Sequence, residues 1–212
     1  VRTLDEASTA AKSDLKVIMG LLDIRLICGD ASLVAELQLF ALELWRREVK
    51  EFMPWLEETL AQRHQLFGEL AYLLEPDIKE ARGGLRDITA LRAIAISEAV
   101  KVPIERISKH ENFLLTVREA LHEVNERGKD RLLFQEQDEV ARILEFESAD
   151  ALMAEVAQSA RAVDYVMNIA LHRLHHDPRF QNTKGLISRF FKGESTPHLS
   201  RGLSVLHNEV VI

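Results

Sequence analysis

Apolar residues recur at helical spacing along most of the chain. Leu15, Ile18, Met19, Leu22, Leu26 and Ile27 keep a three-to-four-residue interval, with Ser13 as N-cap and Gly29 as stop. Asp30 caps the next pattern, Leu33, Leu37, Phe40, Ala41 and Leu44, which runs on to Trp45 and Val49. Pro54 predicts a kink or restart near Met53, because proline lacks the N–H that a helix interior uses. A further helix is expected from Trp55 to Leu74. Leu85, Ile88, Leu91, Ile94 and Ala95 then predict a helix to about Val100, and Pro103 opens a short turn. Ser108 precedes a long pattern through Val124, which Glu126–Asp130 breaks. Leu132, Leu133, Val140, Ile143 and Leu144 form the next pattern. Ala149 or Asp150 opens the last long helix, with Leu152, Val156, Ala160, Val163, Met167 and Leu174 on one broad face. Small alanines on that face suit close packing against neighbouring helices.

These patterns predict an all-α fold, a multi-helix bundle of roughly six or seven long helices joined by short loops. A basic amphipathic helix is expected over Asn182–Lys192, and a short β-hairpin around His207-Asn208 at the C-terminal end. Residues 1–10 read as the tail of a preceding element, 11–192 as the bundle, and 193–212 as a linker with the hairpin.

Composition narrows the function classes. The chain has 212 residues, enough for one sizeable core, with 47% hydrophobic and 29% charged residues. A formal charge of -7 argues against generic binding to nucleic acid or to an anionic membrane. The single cysteine, Cys28, excludes an internal disulfide and a zinc ribbon. No run reaches the roughly 18 apolar residues of a membrane span, and no signal peptide opens the chain, so a cytoplasmic location is expected. A start at Val1 without methionine and an end at Val211-Ile212 suggest an internal piece of a longer protein.

Candidate chemistry concentrates at Glu75-Pro-Asp-Ile-Lys-Glu-Ala-Arg-Gly-Gly-Leu-Arg-Asp-Ile88. Gly83 and Gly84, followed by a helical apolar pattern, read as a tight backbone passage opening a helix. They let the first turn approach something closely, either another backbone or a phosphate. Lys79, Arg82 and Arg86 are placed to grip a carboxylate or phosphate at that helix start. Equally, Glu75, Asp77, Glu80 and Asp87 are placed to satisfy those cations internally. The spacing is not that of a phosphate-binding loop, whose lysine-serine/threonine ending is missing. Asp23 and Arg25 lie two apart and point in different directions, and Asp23, among apolar neighbours, reads as a buried hydrogen-bonding or ion-paired group. Gln137 and Asp138 read as capping or solvated groups, with a cleft lining as the alternative. His172, His175 and His176 share a helical face, but their spacing lacks a zinc motif. They read as partners of a helix C-terminus, with no metal assigned.

The central stretch resembles the segment after the nucleotidyltransferase domain in the protein-PII uridylyltransferase/uridylyl-removing enzyme family. Leu21-Leu-Asp-Ile-Arg-Leu-Ile-Cys-Gly-Asp30 resembles a second signature of that family, which adds Asp30 to the site candidates. Val1-Arg-Thr3, Arg127–Leu132, Gln137–Ala141 and Val205–Ile212 resemble further stretches in order. Glutamine-synthetase adenylyltransferase also has a Gly-Gly-Leu-x-Asp turn, but Ile88-Thr-Ala-Leu91 is more similar to the PII enzyme. The resemblance implies a helical domain between a nucleotidyltransferase domain and an HD phosphohydrolase domain, in a parent that uridylylates and deuridylylates the PII signalling protein. It implies Mg²⁺ and UTP, or ATP in some relatives, as the parent's cofactor and donor. The strand-borne carboxylates of transfer and the His/Asp clusters of removal are not in this sequence, so the piece alone is expected to be inactive. Lys79, Arg82, Gly83, Gly84, Arg86 and Asp87 become nucleotide or cleft candidates, with Asp23, Arg25, Asp30 and Glu75 in support. The alternatives are a structural spacer or PII-docking module whose central motif locks helices, or the matching part of an adenylyltransferase of PII or glutamine synthetase.

Overall fold

The computed structural model describes residues 3–125 and 128–180 in full, together with the backbone of 198–200, 203–206 and 209–211. The first of two compact units spans Val1–Asp177. Among its described residues are eight α-helices: α1 (Leu4–Ser13), α2 (Leu15–Leu22), α3 (Ala31–Arg47), α4 (Val49–Phe67), α5 (Leu85–Ile96), α6 (Ser108–Asn125), α7 (Phe134–Ile143) and α8 (Ala149–His176). The all-α expectation therefore holds.

Local chemistry sets several helix starts. Thr3 and Glu6 form a capping box on α1, and Asp14, Asp30 and Ser148 accept first-turn N–H groups of α2, α3 and α8. Residues 4–10, expected to form a polar tail, thus belong to a capped helix packed on α2 and α3. The first apolar pattern also ends earlier than its spacing suggests. The chain leaves α2 at Leu22, and Leu26 and Ile27 are exposed in the following loop.

Pro54 does not break its helix. It sits inside α4, half-buried, while Phe52, Met53, Leu56 and Leu60 hold that helix against the core. Such burial outweighs the roughly 3 kcal/mol that an interior proline costs. The break falls instead at Glu48, which ends α3 and begins α4. Trp45 and Phe52 stack across that junction at 5.1 Å, and Trp45 Nε1 donates to Ala93 O of α5. At its other end α4 stops at Phe67, ahead of the predicted Leu74, and a short 3-10 turn (Leu70–Tyr72) follows.

The longest helix, α8, has 28 residues and spans about 42 Å. It packs on α5, α6, α7 and the 3-10 turn, so it is the spine of the bundle. Ile88, Leu91, Ile94, Leu114, Leu121 and Leu132 fill the core around it. His110 and Ser159 form a buried polar pair between α6 and α8, with 3.0 Å between Nδ1 and Oγ.

The second unit, Pro178–Ile212, carries three short antiparallel strands, β1 (His198–Ser200), β2 (Leu203–Leu206) and β3 (Glu209–Val211), in that order. The expected turn at His207-Asn208 and the expected helix over Asn182–Lys192 both lie outside the described residues.

Candidate functional site

Residues 75–88 run from the 3-10 turn into α5 and are pinned on two sides. Ile78 N donates to Asp130 O at 2.8 Å, and Leu132 N to Pro76 O at 2.9 Å, which ties the stretch to the segment between α6 and α7. Arg82 N donates to Gly68 O at 2.9 Å and Leu70 N to Arg82 O at 3.0 Å, which ties it to the end of α4. Within the stretch, Asp77 Oδ1 accepts the Lys79 and Glu80 N–H groups at 3.0 and 2.7 Å. This aspartate turn folds the chain back before the glycine pair.

The structure answers what the glycines approach. Gly83 has φ +85°, and a Cβ built there would lie 2.6 Å from the Ala160 carbonyl oxygen of α8. A Cβ on Gly84 would lie 2.7 Å from Ile78 O and 2.8 Å from Ala81 O. Both close contacts are with backbone. The first-turn donors of α5 are also taken: Leu85 N by Ile78 O, Arg86 N by Lys79 O and Asp87 N by Gly84 O. A helix start binds phosphate through unpaired N–H groups, and these are paired.

Asp87 is the buried centre of the arrangement, with no solvent exposure. Its Oδ2 accepts Gly83 N at 2.7 Å, and its Oδ1 accepts His64 Nε2 at 2.9 Å and Arg63 Nη2. An ionised carboxylate only accepts, so His64 carries its proton on Nε2. Burial pushes the Asp87 carboxyl upward, but the His64 hydrogen bond and the Arg63 charge outweigh it and hold the group below its ordinary range. Arg63 also donates from Nη1 to Glu80 O at 2.6 Å. One carboxylate thus joins α4, the glycine turn and α5.

The three candidate cations separate. Arg82 turns to α8, where Nε donates to Asp164 Oδ1 at 2.6 Å and Nη2 reaches Asn168 Oδ1 at 3.4 Å. The hydrogen bond to Asp164 raises its already high pKa. Arg86 is exposed, with its Nε 3.2 Å from Glu80 Oε1. Lys79 Nζ lies 3.4 Å from Asp130 Oδ2 and 3.9 Å from Glu80 Oε1. Asp130 itself accepts Arg118 Nε at 2.6 Å and His122 Nε2 at 2.8 Å on Oδ1. Burial pushes this carboxyl upward too, and the Arg118 and His122 hydrogen bonds bring it below its usual range.

The supporting candidates have other places. Glu75 accepts Phe134 N at 3.1 Å, capping α7, and pairs with Arg131 at 3.2 Å. Asp30 caps α3, and its hydrogen bonds from Ser32 hold its pKa down. Asp23, expected to be buried, is exposed, because α2 ends one residue before it. Among the described residues neither Asp23 nor Arg25 bonds to the central stretch. Gln137 is buried rather than solvated and donates to Leu74 O at 2.7 Å, while Asp138 is exposed. His175 reaches Glu57 of α4 at 2.9 Å, and the His172 and His176 rings stack at 4.1 Å.

Sequence reading misses Arg63, His64, Arg118, His122 and Asp164. Arg82–Asp164 and His64–Asp87 lie 82 and 23 positions apart, and Arg118 and His122 reach the stretch only through Asp130, which pairs with Lys79, so local periodicity carries no sign of them. One signal is present for α8: Ala160, Asp164 and Asn168 recur every four residues, putting a small residue and two polar ones in a single row.

Magnesium at nucleotide sites is held by one or two carboxylates together with substrate phosphates and waters. Among the described residues no group of three or more His, Cys, Asp or Glu is placed to hold a metal. Asp87 and Asp130 are each committed to cationic partners. No helix among the described residues is long and apolar enough to cross a membrane.

A family profile described as GlnD PII-uridylyltransferase matches residues 51–98 and 100–171. The bifunctional uridylyltransferase/uridylyl-removing enzyme of Streptomyces coelicolor is 41% identical over 195 residues, covering 92% of this chain and 23% of that protein. The enzyme of the same description from Mycobacterium tuberculosis is 35% identical over 173 residues, 78% of this chain and 21% of the relative. That of Corynebacterium glutamicum is 31% identical over 171 residues, 81% of this chain and 24% of the relative. The chain therefore spans about a quarter of the length of these curated relatives. No solved structure matches it.

Proposed function

The chain belongs to the GlnD PII-uridylyltransferase family, and from that premise we propose that it is the helical scaffold of an enzyme that adds uridylyl groups to PII and removes them. In this reading the scaffold performs neither reaction alone. It fixes where the neighbouring catalytic parts stand, and it works in the cytoplasm with PII as the protein partner. UTP and Mg²⁺ belong to those neighbouring parts.

The observation that carries this reading is the fully buried Asp87 carboxylate. Arg63, His64 and the Gly83 N–H converge on it, directly beside the Gly83–Ala160 backbone contact. A group that oriented nucleotide would keep a lone pair or an edge open to a ligand, whereas Asp87 is enclosed by partners from α4 and the glycine turn. Its chemistry suits holding helices in register. The family signature at 75–88 is then a packing device, and the spacer alternative is favoured over direct nucleotide contact by Asp87 or Arg82.

The test is Asp87→Asn in a full-length enzyme carrying this domain. Leaving Arg63 without its counter-charge is expected to cost about 3–5 kcal/mol of stability. Uridylyl transfer per folded molecule should stay within about twofold. A tenfold loss of transfer with unchanged melting would place Asp87 in the reacting site and overturn the reading.

A further inference from the structure

The helices α1, α2 and α3 pack mainly on one another, in a layer with little interior of its own. From α1 and α2 only Ala7, Ala11 and Ile18 are buried. In α2 six of eight residues are large and apolar, and only the row of Lys16 and Gly20 is free of them. A helix that is apolar on nearly every face belongs in an interior. Its other apolar residues, from Leu15 to Leu22, are nevertheless only half-buried.

On α3 the missing cover can be located. Leu33, Leu37, Phe40 and Leu44 lie in one row along that helix. Leu44 is 2% exposed, Leu37 and Phe40 are half-buried, and Leu33 is 50% exposed. The row therefore leaves the core toward the N-terminal end of α3. The loop between α2 and α3 runs along that same end, because Gln38 Nε2 donates to Ile24 O at 2.8 Å and Asp30 caps the helix. Every residue from Arg25 to Asp30 is exposed, including Leu26 at 45% and Ile27 at 85%. Asp23, Arg25 and Asp30 flank the two in the chain, so an apolar centre has a polar edge, as in a protein interface.

Three observations indicate the occupant. The flanking charges sum to a negative value, which disfavours an anionic lipid surface. The family profile begins at residue 51, in the first turn of α4, so α1–α3 stand outside the helical module it defines. The match to the Streptomyces coelicolor enzyme spans 195 residues, more than lie between residue 51 and residue 212, so it reaches back into α1–α3. That match takes in 23% of the relative, and most of the relative lies elsewhere. The polypeptide enters the layer through α1, which packs on both α2 and α3, whereas α8 packs on α5, α6, α7 and the 3-10 turn.

We propose that Leu26, Ile27 and Leu33 form a docking face for the part of the parent polypeptide that leads into α1. The junction between modules then falls at Glu48, between α3 and α4, and not near residue 10. The inference rests on the scaffold reading for that part being catalytic, and it names the surface through which the scaffold holds it.

Cys28, exposed beside Ile27, is the probe. In a full-length enzyme carrying this chain, its alkylation by iodoacetamide is followed on its own peptide by mass spectrometry. The native rate is expected to be at least twentyfold below that of the urea-unfolded enzyme. Ile27→Asp should raise the native rate at least fivefold, although a carboxylate beside a thiol disfavours the reactive thiolate. Leu115→Asp on α6 should leave it within twofold. A benzophenone amino acid placed at position 27 should cross-link, within one polypeptide, to residues preceding α1. A native rate within threefold of the unfolded one overturns the inference, as does protection that survives Ile27→Asp. Cross-links only to a second copy, or only to residues that follow this chain, also overturn it. Leu33→Asp carries the same expectation as Ile27→Asp and keeps the test decisive if that variant fails to fold. Failure here leaves the scaffold reading to be decided by Asp87→Asn, which reads transfer and melting at the junction of α4 and α5.

Discussion

Gly83 shows how a single missing side chain sets the packing of two helices. Its φ of +85° lies where a Cβ is strained, and the Ala160 carbonyl leaves no room for one at 2.6 Å. Gly83→Ala therefore meets both penalties, a left-handed backbone and overpacking against an inflexible carbonyl. The expected loss is about 3 kcal/mol, or roughly 10 °C in Tm, checked by thermal unfolding. Gly84 is confined by its own loop, with Ile78 and Ala81 carbonyls in the way. The glycine pair is legible in the sequence as a close approach, because two adjacent residues without side chains ahead of a helical pattern mark a tight backbone passage. Which surface they approach is not legible: Ala160 lies 77 positions away and is one of many alanines on its helix.

At the scale of elements, the start of α5 is legible and the clamp around it is not. Gly84 and the apolar spacing from Leu85 place the helix, and the structure begins it there. Asp87 reads locally as a favourable first-turn acid. Its actual role depends on Arg63 and His64 near the end of α4, two polar residues to which the sequence reading gives no role. The same blindness explains the errors at α2 and α4, where long-range burial rather than spacing decides where a helix stops or survives a proline. The clamp has a pH signature. Asp87 has a folded pKa held below its ordinary value, so its contribution is complete above about pH 4 and is lost as pH falls through the folded value. Asp130 shifts in the same direction and adds to the loss. Chemical denaturation across pH 2 to 6 should show stability falling below about pH 4. Asp87→Asn should flatten that fall while lowering stability on the plateau. An unchanged acid slope in the variant would rule out Asp87 as a source of the pH dependence.

For the whole molecule, the helical bundle and its kinship are legible in the chain itself. Periodicity marks the bundle and the 75–88 stretch marks the family, which the profile match bears out. The division of labour within that stretch is a property of the tertiary fold. Arg82 pairs with Asp164 of α8 and Asp87 with Arg63 and His64 of α4, whereas Lys79 reaches Asp130 and Arg86 reaches Glu80, although all four sit within nine residues. Alternation along an irregular loop has no fixed period, so sequence cannot tell one side from the other. What unites these contacts is that the signature stretch forms a buried lock between α4, α5 and α8. Native-state hydrogen exchange of the Gly83 amide probes that lock at its centre, since this N–H ends on a fully buried carboxylate. Exchange only through global unfolding is expected, as slow as for the core amides of α8. Exchange as fast as in the exposed loop between α2 and α3 would contradict the lock.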